Sequence, residues 1–343
     1  MRRLFVVFLA LLVLVCVAYT VYWNVMASRS GEWVAYWAAP IPGKAWSGTY
    51  SATEASGFPF SLDITISDPA VSWQGSGGEA IWQGPELIAK FKPWTLASFS
   101  FDLPSQQTVI IDDGYLLRMI RIMMESGTAR IAMTDDRATA LMARFEGVSA
   151  IHQQNQVPLT ADLLEIDVRE AEGGAAHDAY LLATGVGLPV GLMPPFFQSE
   201  VPSAAATLRL WGELSGHGSL ASQLEAWRVA GGIIEIQALD VDWPPLDIEA
   251  EGTASLDTQL RPIGAFRADV VGYRELLNAM EEMGELERGQ AMVAGTALDI
   301  MAATGDDGSK RLAVDISIQH GLLSVGPIRV MEVPPVITPE VGF

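Results

Sequence analysis

The sequence predicts a mainly β protein with minor α content. An N-terminal transmembrane helix leads into a long antiparallel meander curled into an open barrel or groove, with helices packed on it in the C-terminal half. Three observations carry this prediction. Residues 4–26 hold no charge, the chain from Trp46 onward alternates apolar and polar residues with a period of two, and helical spacing returns only past residue 219. The resulting division is 1–3 cytoplasmic N-terminus, 4–26 transmembrane helix, 27–45 juxtamembrane segment, 46–187 N-terminal β-rich half, 188–202 Pro-rich connection, 203–331 C-terminal β-rich half with helices, and 332–343 tail.

The uncharged stretch comes first. At 1.5 Å per residue, residues 4–26 reach about 34 Å, enough for a hydrocarbon core of about 30 Å. Secretory apolar segments run about 7 to 15 residues, so this longer stretch reads as an uncleaved signal anchor. Val25-Met26-Ala27 keeps the other reading open, cleavage after Ala27. Cys16, the single cysteine, follows Val15 in mid-span; it has no small residue before it and reads as a small buried hydrophobe. Arg2 and Arg3 precede the span, which places the N-terminus in the cytoplasm and the body across the membrane, in the periplasm or its equivalent. Trp23, Trp33 and Trp37 stand at the exit side, where aromatic rings favour the membrane interface. Trp33 and Trp37 share a face of a continuing helix, so core packing is the competing reading for that pair.

The meander follows. Phe58, Phe60, Leu62, Ile64 and Ile66 alternate with Ser61, Asp63, Thr65 and Ser67, a half-buried strand stopped by Asp68-Pro69. The segment before it, 46–55, turns at Ser56-Gly57-Phe58-Pro59 and makes a hairpin with it. Further strands are expected at 87–91, 96–103, 108–111, 115–124, 129–133, 137–146, 163–170 and 180–186. The acidic glycine turns Asp112-Asp113-Gly114 and Asp306-Asp307-Gly308 supply the positive φ of tight hairpins. The connection 188–202, with Leu192-Met193-Pro194-Pro195-Phe196-Phe197, reads as the break between halves, either a buried crossover or an apolar contact patch.

In the C-terminal half a strand at 205–214 leads into a helix with Leu220, Leu224 and Trp227 on one face, closed by Gly231-Gly232. Strand 233–243 follows, then Pro244-Pro245 and the cleanest alternation in the chain. Leu246, Ile248, Ala250, Gly252, Ala254 and Leu256 point one way; Asp247, Glu249, Glu251, Thr253, Ser255 and Asp257 point the other. The small residues at Ala250, Gly252 and Ala254 leave room for a close-packed helix or a bound chain. Leu276, Leu277 and Met280 follow helical spacing and supply a wall or lid, and a second helix is expected at 291–301. Strands at 266–271, 311–319 and 322–330 complete the body.

Chemistry is excluded by what the chain lacks. With 41 acidic against 21 basic residues and a formal charge of −20, it has no footprint for nucleic acid. One cysteine forbids an internal disulfide and a thiolate metal cage, and four scattered histidines, His152, His177, His217 and His320, do not make a metal or catalytic centre. No nucleophile elbow, phosphate loop, dinucleotide fingerprint or His-Glu-x-x-His occurs. Ser215-Gly216-His217-Gly218-Ser219 sets serine beside histidine, which is not triad geometry. The alternating acids of 240–251 read as a solvated strand face. No enzyme, cofactor or metal is expected.

Residues 2–37, the Gly57-Phe58-Pro59-Phe60 turn entering the strand that ends at Asp68-Pro69, and the closing Gly321-Leu322-Leu323 to Gly326-Pro327 resemble the bacterial envelope family catalogued as domain of unknown function 2125. Residues 252–274, strand, Leu260-Arg261-Pro262, strand and helix, are similar to the C-terminal part of AsmA-like proteins. The AsmA resemblance implies an inner-membrane anchor, a β-sheet groove in the periplasm and a link to lipid movement and outer-membrane homeostasis. The first family brings no catalytic residues. The expectation is a groove lined by Leu246, Ile248, Ala250, Ala254, Leu256, Leu276, Leu277 and Met280 that binds a lipid or acyl chain in envelope homeostasis. The rival is a scaffold component that binds other envelope proteins and holds no cargo.

Overall fold

The structure is a computed structural model that describes residues 2–40, 46–75, 78–112, 117–134, 137–153, 157–189, 191, 194–212, 220–305, 308–326 and 328–337. The chain opens with α1 (Arg2–Ala38), which runs past the expected end of the span into the juxtamembrane stretch. Nothing before Pro40 breaks it, since residues 27–38 contain no proline. Its two polar span residues bond back to the helix, Thr20 Oγ1 to the Cys16 carbonyl at 2.8 Å and Asn24 Nδ2 to the Thr20 carbonyl at 2.7 Å.

Ten strands follow: β1 (Trp46–Thr49), β2 (Ala52–Ser56), β3 (Leu62–Ser67), β4 (Ala70–Gly75), β5 (Gly78–Gln83), β6 (Glu86–Lys92), β7 (Thr95–Asp102), β8 (Gln106–Asp112), β9 (Leu117–Met123) and β10 (Ser126–Thr134). They are five long chain passes, each broken in the middle. One half of each pass builds the ladder β2–β3–β6–β7–β10, and the other half builds β1–β4–β5–β8–β9. Both ladders meet on β11 (Arg137–His152), whose first part pairs β10 and whose end pairs β9.

The expected stop at Asp68-Pro69 is therefore a kink inside a pass. The chain continues as β4 and β5, two strands that the alternation did not mark. Proline lacks the ladder donor, yet the bonding crosses the break line: Asp68 N–H donates to the Pro85 carbonyl at 2.9 Å, Gly84 N–H to Pro69 at 3.1 Å and Met124 N–H to Ser105 at 2.9 Å. Gly147 continues the line through β11 at φ +60, a backbone that suits glycine.

From β11 the sheet proceeds through β12 (Leu159–Glu170), β13 (Ala176–Gly187), β14 (Glu200–Trp211), then past α2 (Leu220–Val229) to β15 (Ile233–Trp243), β16 (Leu246–Leu256) and β17 (Pro262–Val271). Each pairs antiparallel with the next. Residues 188–199 join β13 to β14, the last three residues of the expected connection 188–202 being strand, and since β13 and β14 are hydrogen-bonded neighbours the sheet runs from one half into the other without a gap. After α3 (Tyr273–Glu282) and α4 (Arg288–Met301), β18 (Ala303–Thr304) and β17 both pair with β19 (Lys310–Gln319), which pairs with β20 (Leu322–Val325). The single strand expected over 322–330 is folded at Gly326, φ +54, into a hairpin with β21 (Ile328–Glu332). Among the described residues β21 does not pair back to β1 or β2, so the sheet stays open.

The main core cluster lies where α1 meets the start of this sheet. Trp23, Leu62, Ile64 and Phe91 are buried together, with Tyr19, Trp33, Ala55, Ala89 and Phe99 around them. Burying Leu62, Ile64 and Phe91 contributes on the order of 1.5–3 kcal/mol each.

Candidate functional site

In an antiparallel ladder, directly opposed residues project from the same face. One line of opposed residues runs Ala55, Ile64, Ala89, Phe101, Ala129, Ala143, Ile166, Leu181, Ala206, Leu239, Ala250, Ala268 and Val314. A second, two residues away along each shared strand except β15, where a bulge makes it three, runs Leu62, Phe91, Phe99, Ile131, Leu141, Val168, Ala179, Leu208, Ile236, Gly252, Phe266, Ile316 and, on β20, Val325. Every member of both lines is apolar or glycine. At about 4.8 Å between strands, thirteen strands extend over about 60 Å. The line between them, on the opposite face, reads Asp63, Lys90, Ser100, Arg130, Met142, Asp167, Tyr180 and Thr207.

The apolar face is covered at its ends and open in its middle. At the start, α1 lies over Leu62, Ile64 and Phe91. At the far end, Ala268 is 0% and Leu312 8% exposed, where α3 reaches β16 and α4 reaches β19. Among the described residues the main packing of β11, β12 and β13 is on neighbouring strands, and Leu141 and Leu181 stay 39% and 36% exposed. A contiguous apolar surface of that size is the candidate site of the molecule.

The opposite face is held by charge. Arg144 pairs with Glu165 and with Glu146 at 2.9 Å, Arg169 with Asp167 at 2.6 Å, Arg209 with Asp178 at 2.7 Å, and Lys90 with Asp102. The Arg209 hydrogen bonds hold Asp178 below the usual carboxylate range. Burial and the neighbouring Asp240, Glu249 and Asp242 push Asp247 up. The surface hollows lie here: one of about 550 Å³ lined by Asp102, Arg130, Arg144, Glu165 and Asp167, another of about 620 Å³ lined by Glu235, Glu251, Arg267 and Asp315.

The expected wall residues fall into place on this face. Ile248 opposes Val241, Ala250 opposes Leu239 and Ala254 opposes Ile234, with Leu246 and Leu256 in the same alternation; all five are half-buried. The room at Gly252 is taken: the Phe266 ring lies against it, so the small residue serves a neighbouring strand. Leu276, Leu277 and Met280 are half-buried on α3, and Leu277 faces α4, where a Cβ on Gly295 would sit 3.8 Å from its Cδ1. Tyr273 Oη donates to Asp299 Oδ1 at 2.7 Å and Arg274 Nε to the same oxygen at 2.8 Å, so α3 and α4 form a tied pair at one end of the wall.

Of the interface tryptophans, Trp23 is 8% exposed, donates Nε1–H to the Ser61 carbonyl at 2.8 Å and meets the Phe58 ring edge-on at 5.4 Å. Trp33 packs 6.1 Å from Phe91, which is the core reading; Trp37 is 64% exposed. Phe197 stacks on Trp243 at 4.5 Å, so part of the 188–202 connection folds back onto the sheet. The turn residues 113–114 and 306–307, Leu192, Met193 and residues 215–219 lie outside the described residues. His152, His177 and His320 stand on β11, β13 and the β19–β20 turn, well separated in the ladder order. Among the described residues no three His, Cys, Asp or Glu gather as a metal set.

Fold and site define a class: one apolar N-terminal helix, long enough to cross a membrane, carrying an open antiparallel sheet with one apolar face. The chain belongs to the bacterial family catalogued as domain of unknown function 2125, described as an uncharacterized protein conserved in bacteria, which matches residues 23–334. The match takes in the sheet and the sheet-packed end of α1 and leaves out the helix before Trp23. No curated protein and no solved structure matches the chain.

Proposed function

We propose that this protein is an inner-membrane-anchored, non-catalytic lipid-handling protein of the bacterial envelope, whose apolar sheet face takes up acyl chains. The observation that supports this most is the pair of unbroken apolar lines, thirteen strands wide and uncovered at Leu141 and Leu181, beginning beneath the apolar helix. Burying a CH₂ group returns about 0.8 kcal/mol, so a lipid tail laid along such a face gains what a polar ligand would not. Arg2 and Arg3 ahead of the span favour a cytoplasmic N-terminus and a periplasmic body. The similarity of residues 252–274 to AsmA-like proteins points the same way.

The second reading is a scaffold whose face is covered by another envelope protein. It draws on the same exposed surface. A photo-reactive residue placed at Leu141 or Leu181 in living cells separates the two. Adducts of lipid mass support the carrier, and protein adducts without lipid overturn it in favour of the scaffold. A reporter active only in the cytoplasm, fused at the C-terminus, must stay silent if the body is exported.

A further inference from the structure

Two hairpin tips sit at one level of α1. Strand β2 descends along the helix, with Gly48 of β1 beside Ala38 and Thr53 beside Gly31, and its turn at residues 57–61 arrives at Tyr19 and Trp23. Tyr19 Oη donates to the Pro59 carbonyl, Trp23 Nε1 to the Ser61 carbonyl at 2.8 Å, and Tyr22 Oη to the Pro93 carbonyl of the β6–β7 turn at 2.8 Å. Phe58, Phe60 and Trp94 at these tips are 49%, 76% and 58% exposed.

Helix length then sets the depth. Residues 5–18 are all exposed, and packing against the body begins at Tyr19. The uncharged stretch starts at Leu4, so fifteen residues precede Tyr19 and rise about 22 Å, about 8 Å short of a hydrocarbon core of about 30 Å. Side chains on a helix cover the turn N-terminal to their own Cα, which sets the tips lower still. If α1 spans, the remaining depth is occupied by the segment that carries both tips.

From this we infer that the hairpin tips at Phe58-Pro59-Phe60 and Pro93-Trp94 are immersed in the outer boundary of the same bilayer that α1 crosses, and that they seat the start of the apolar sheet face on that leaflet. The inference rests on the anchor reading proposed above and adds how the body meets the membrane. Backbone bonding agrees with immersion. A turn carbonyl in hydrocarbon has no water to accept from. Here the carbonyls of Pro59, Ser61 and Pro93 accept from three aromatic donors, and Gly57 accepts from Ser61 N–H at 3.0 Å. The residues at the tips are aromatic or proline, the composition of an interfacial belt, with exposed Lys92 flanking Pro93 as a partner for phosphate headgroups. Leu62 and Phe91, which head the second apolar line, follow directly from the tips and are buried beneath α1, so the apolar face starts at the tips and opens only further along the sheet.

The test uses the full chain, Cys16→Ser, in vesicles of phosphatidylethanolamine and phosphatidylglycerol. Spin labels are placed singly through Leu11→Cys, Phe60→Cys, Trp94→Cys and Trp37→Cys, all exposed positions, with strand content checked by circular dichroism. Collisions with oxygen and with a water-soluble nickel chelate are measured. The expected result is several-fold lower nickel access at 11, 60 and 94 than at 37. Water-like access at 60 and 94 with a lipid-like signal at 11 overturns the immersion and leaves the anchor standing. Water-like access at 11 overturns the anchor itself.

Discussion

Phe266 on β17 lies against Gly252 on β16: a Cβ built on that glycine would stand 2.8 Å from the ring's Cδ1 and 2.4 Å from the Ala265 carbonyl oxygen. The same ring reaches Gly264, where a Cβ would stand 2.8 Å from Cζ. One aromatic side chain thus fills the gap left by two glycines and keeps the apolar line continuous across them. Gly252→Ala should cost about 1–3 kcal/mol, because backbone as well as ring must shift. Thermal melts of the full chain in detergent measure it, and an unchanged midpoint would mean that the ring is free to move aside.

Along one apolar line the sheet passes from open to packed. Ala206 lies beside Leu181 in the uncovered middle, whereas Ala268 is 0% exposed at the helix-covered end. Ala206→Trp should change stability within about 0.5 kcal/mol and lower lipid adducts at Leu181, while Ala268→Trp overpacks and costs about 1–3 kcal/mol or more. Equal costs at both sites would show that the middle is covered too.

Trp23 joins helix to sheet through packing and its bond to Ser61. Trp23→Ala should cost about 3–5 kcal/mol by opening a cavity at Leu62 and Ile64. Limited proteolysis should then cut between α1 and β1 faster than in the parent protein.

Asp247 faces Asp242 across the ladder, with Asp240 and Glu249 beside it and Arg311 as the opposing cation. Its folded pKa is raised, so the folded state binds this proton more tightly than the unfolded chain does. Its favourable contribution is present below the unfolded pKa and is lost as pH rises through the folded value. Asp247→Asn should therefore raise the melting temperature at pH 7 and lose that advantage near pH 3.

Asp299 behaves in the opposite sense. Hydrogen bonds from Arg274 and Tyr273 hold its carboxyl far below the usual range. Its contribution is present above the unfolded pKa of about 3.9 and fades as pH falls through the folded one. Asp299→Asn should loosen α3 from α4 at pH 7, read as faster amide exchange in both helices, with the difference from the parent shrinking in acid.

Local pattern alone marked the apolar helix, the two-residue alternation of most strands and the wall on β16, because burial of one face imposes those periods wherever a segment lies. Leu246, Ile248, Ala250, Ala254 and Leu256 carried that signal within eleven residues. It could not show that twelve other strands bring matching residues into the same lines, since opposition of Ala55 to Ile64 or of Leu181 to Ala206 depends on register between separate segments.

Tertiary structure also decided three features with no local signature. Asp68-Pro69 bends a pass instead of ending it, because neighbouring passes supply bonds across the break. The gap at Gly252 belongs to Phe266, because a partner strand places the ring there. Trp23 and Trp33 pack on the sheet while Trp37 stays 64% exposed although it follows Trp33 by one helical turn, because the level along α1 at which β3 and β6 cover it is set by the sheet and is not written in the helix's own sequence.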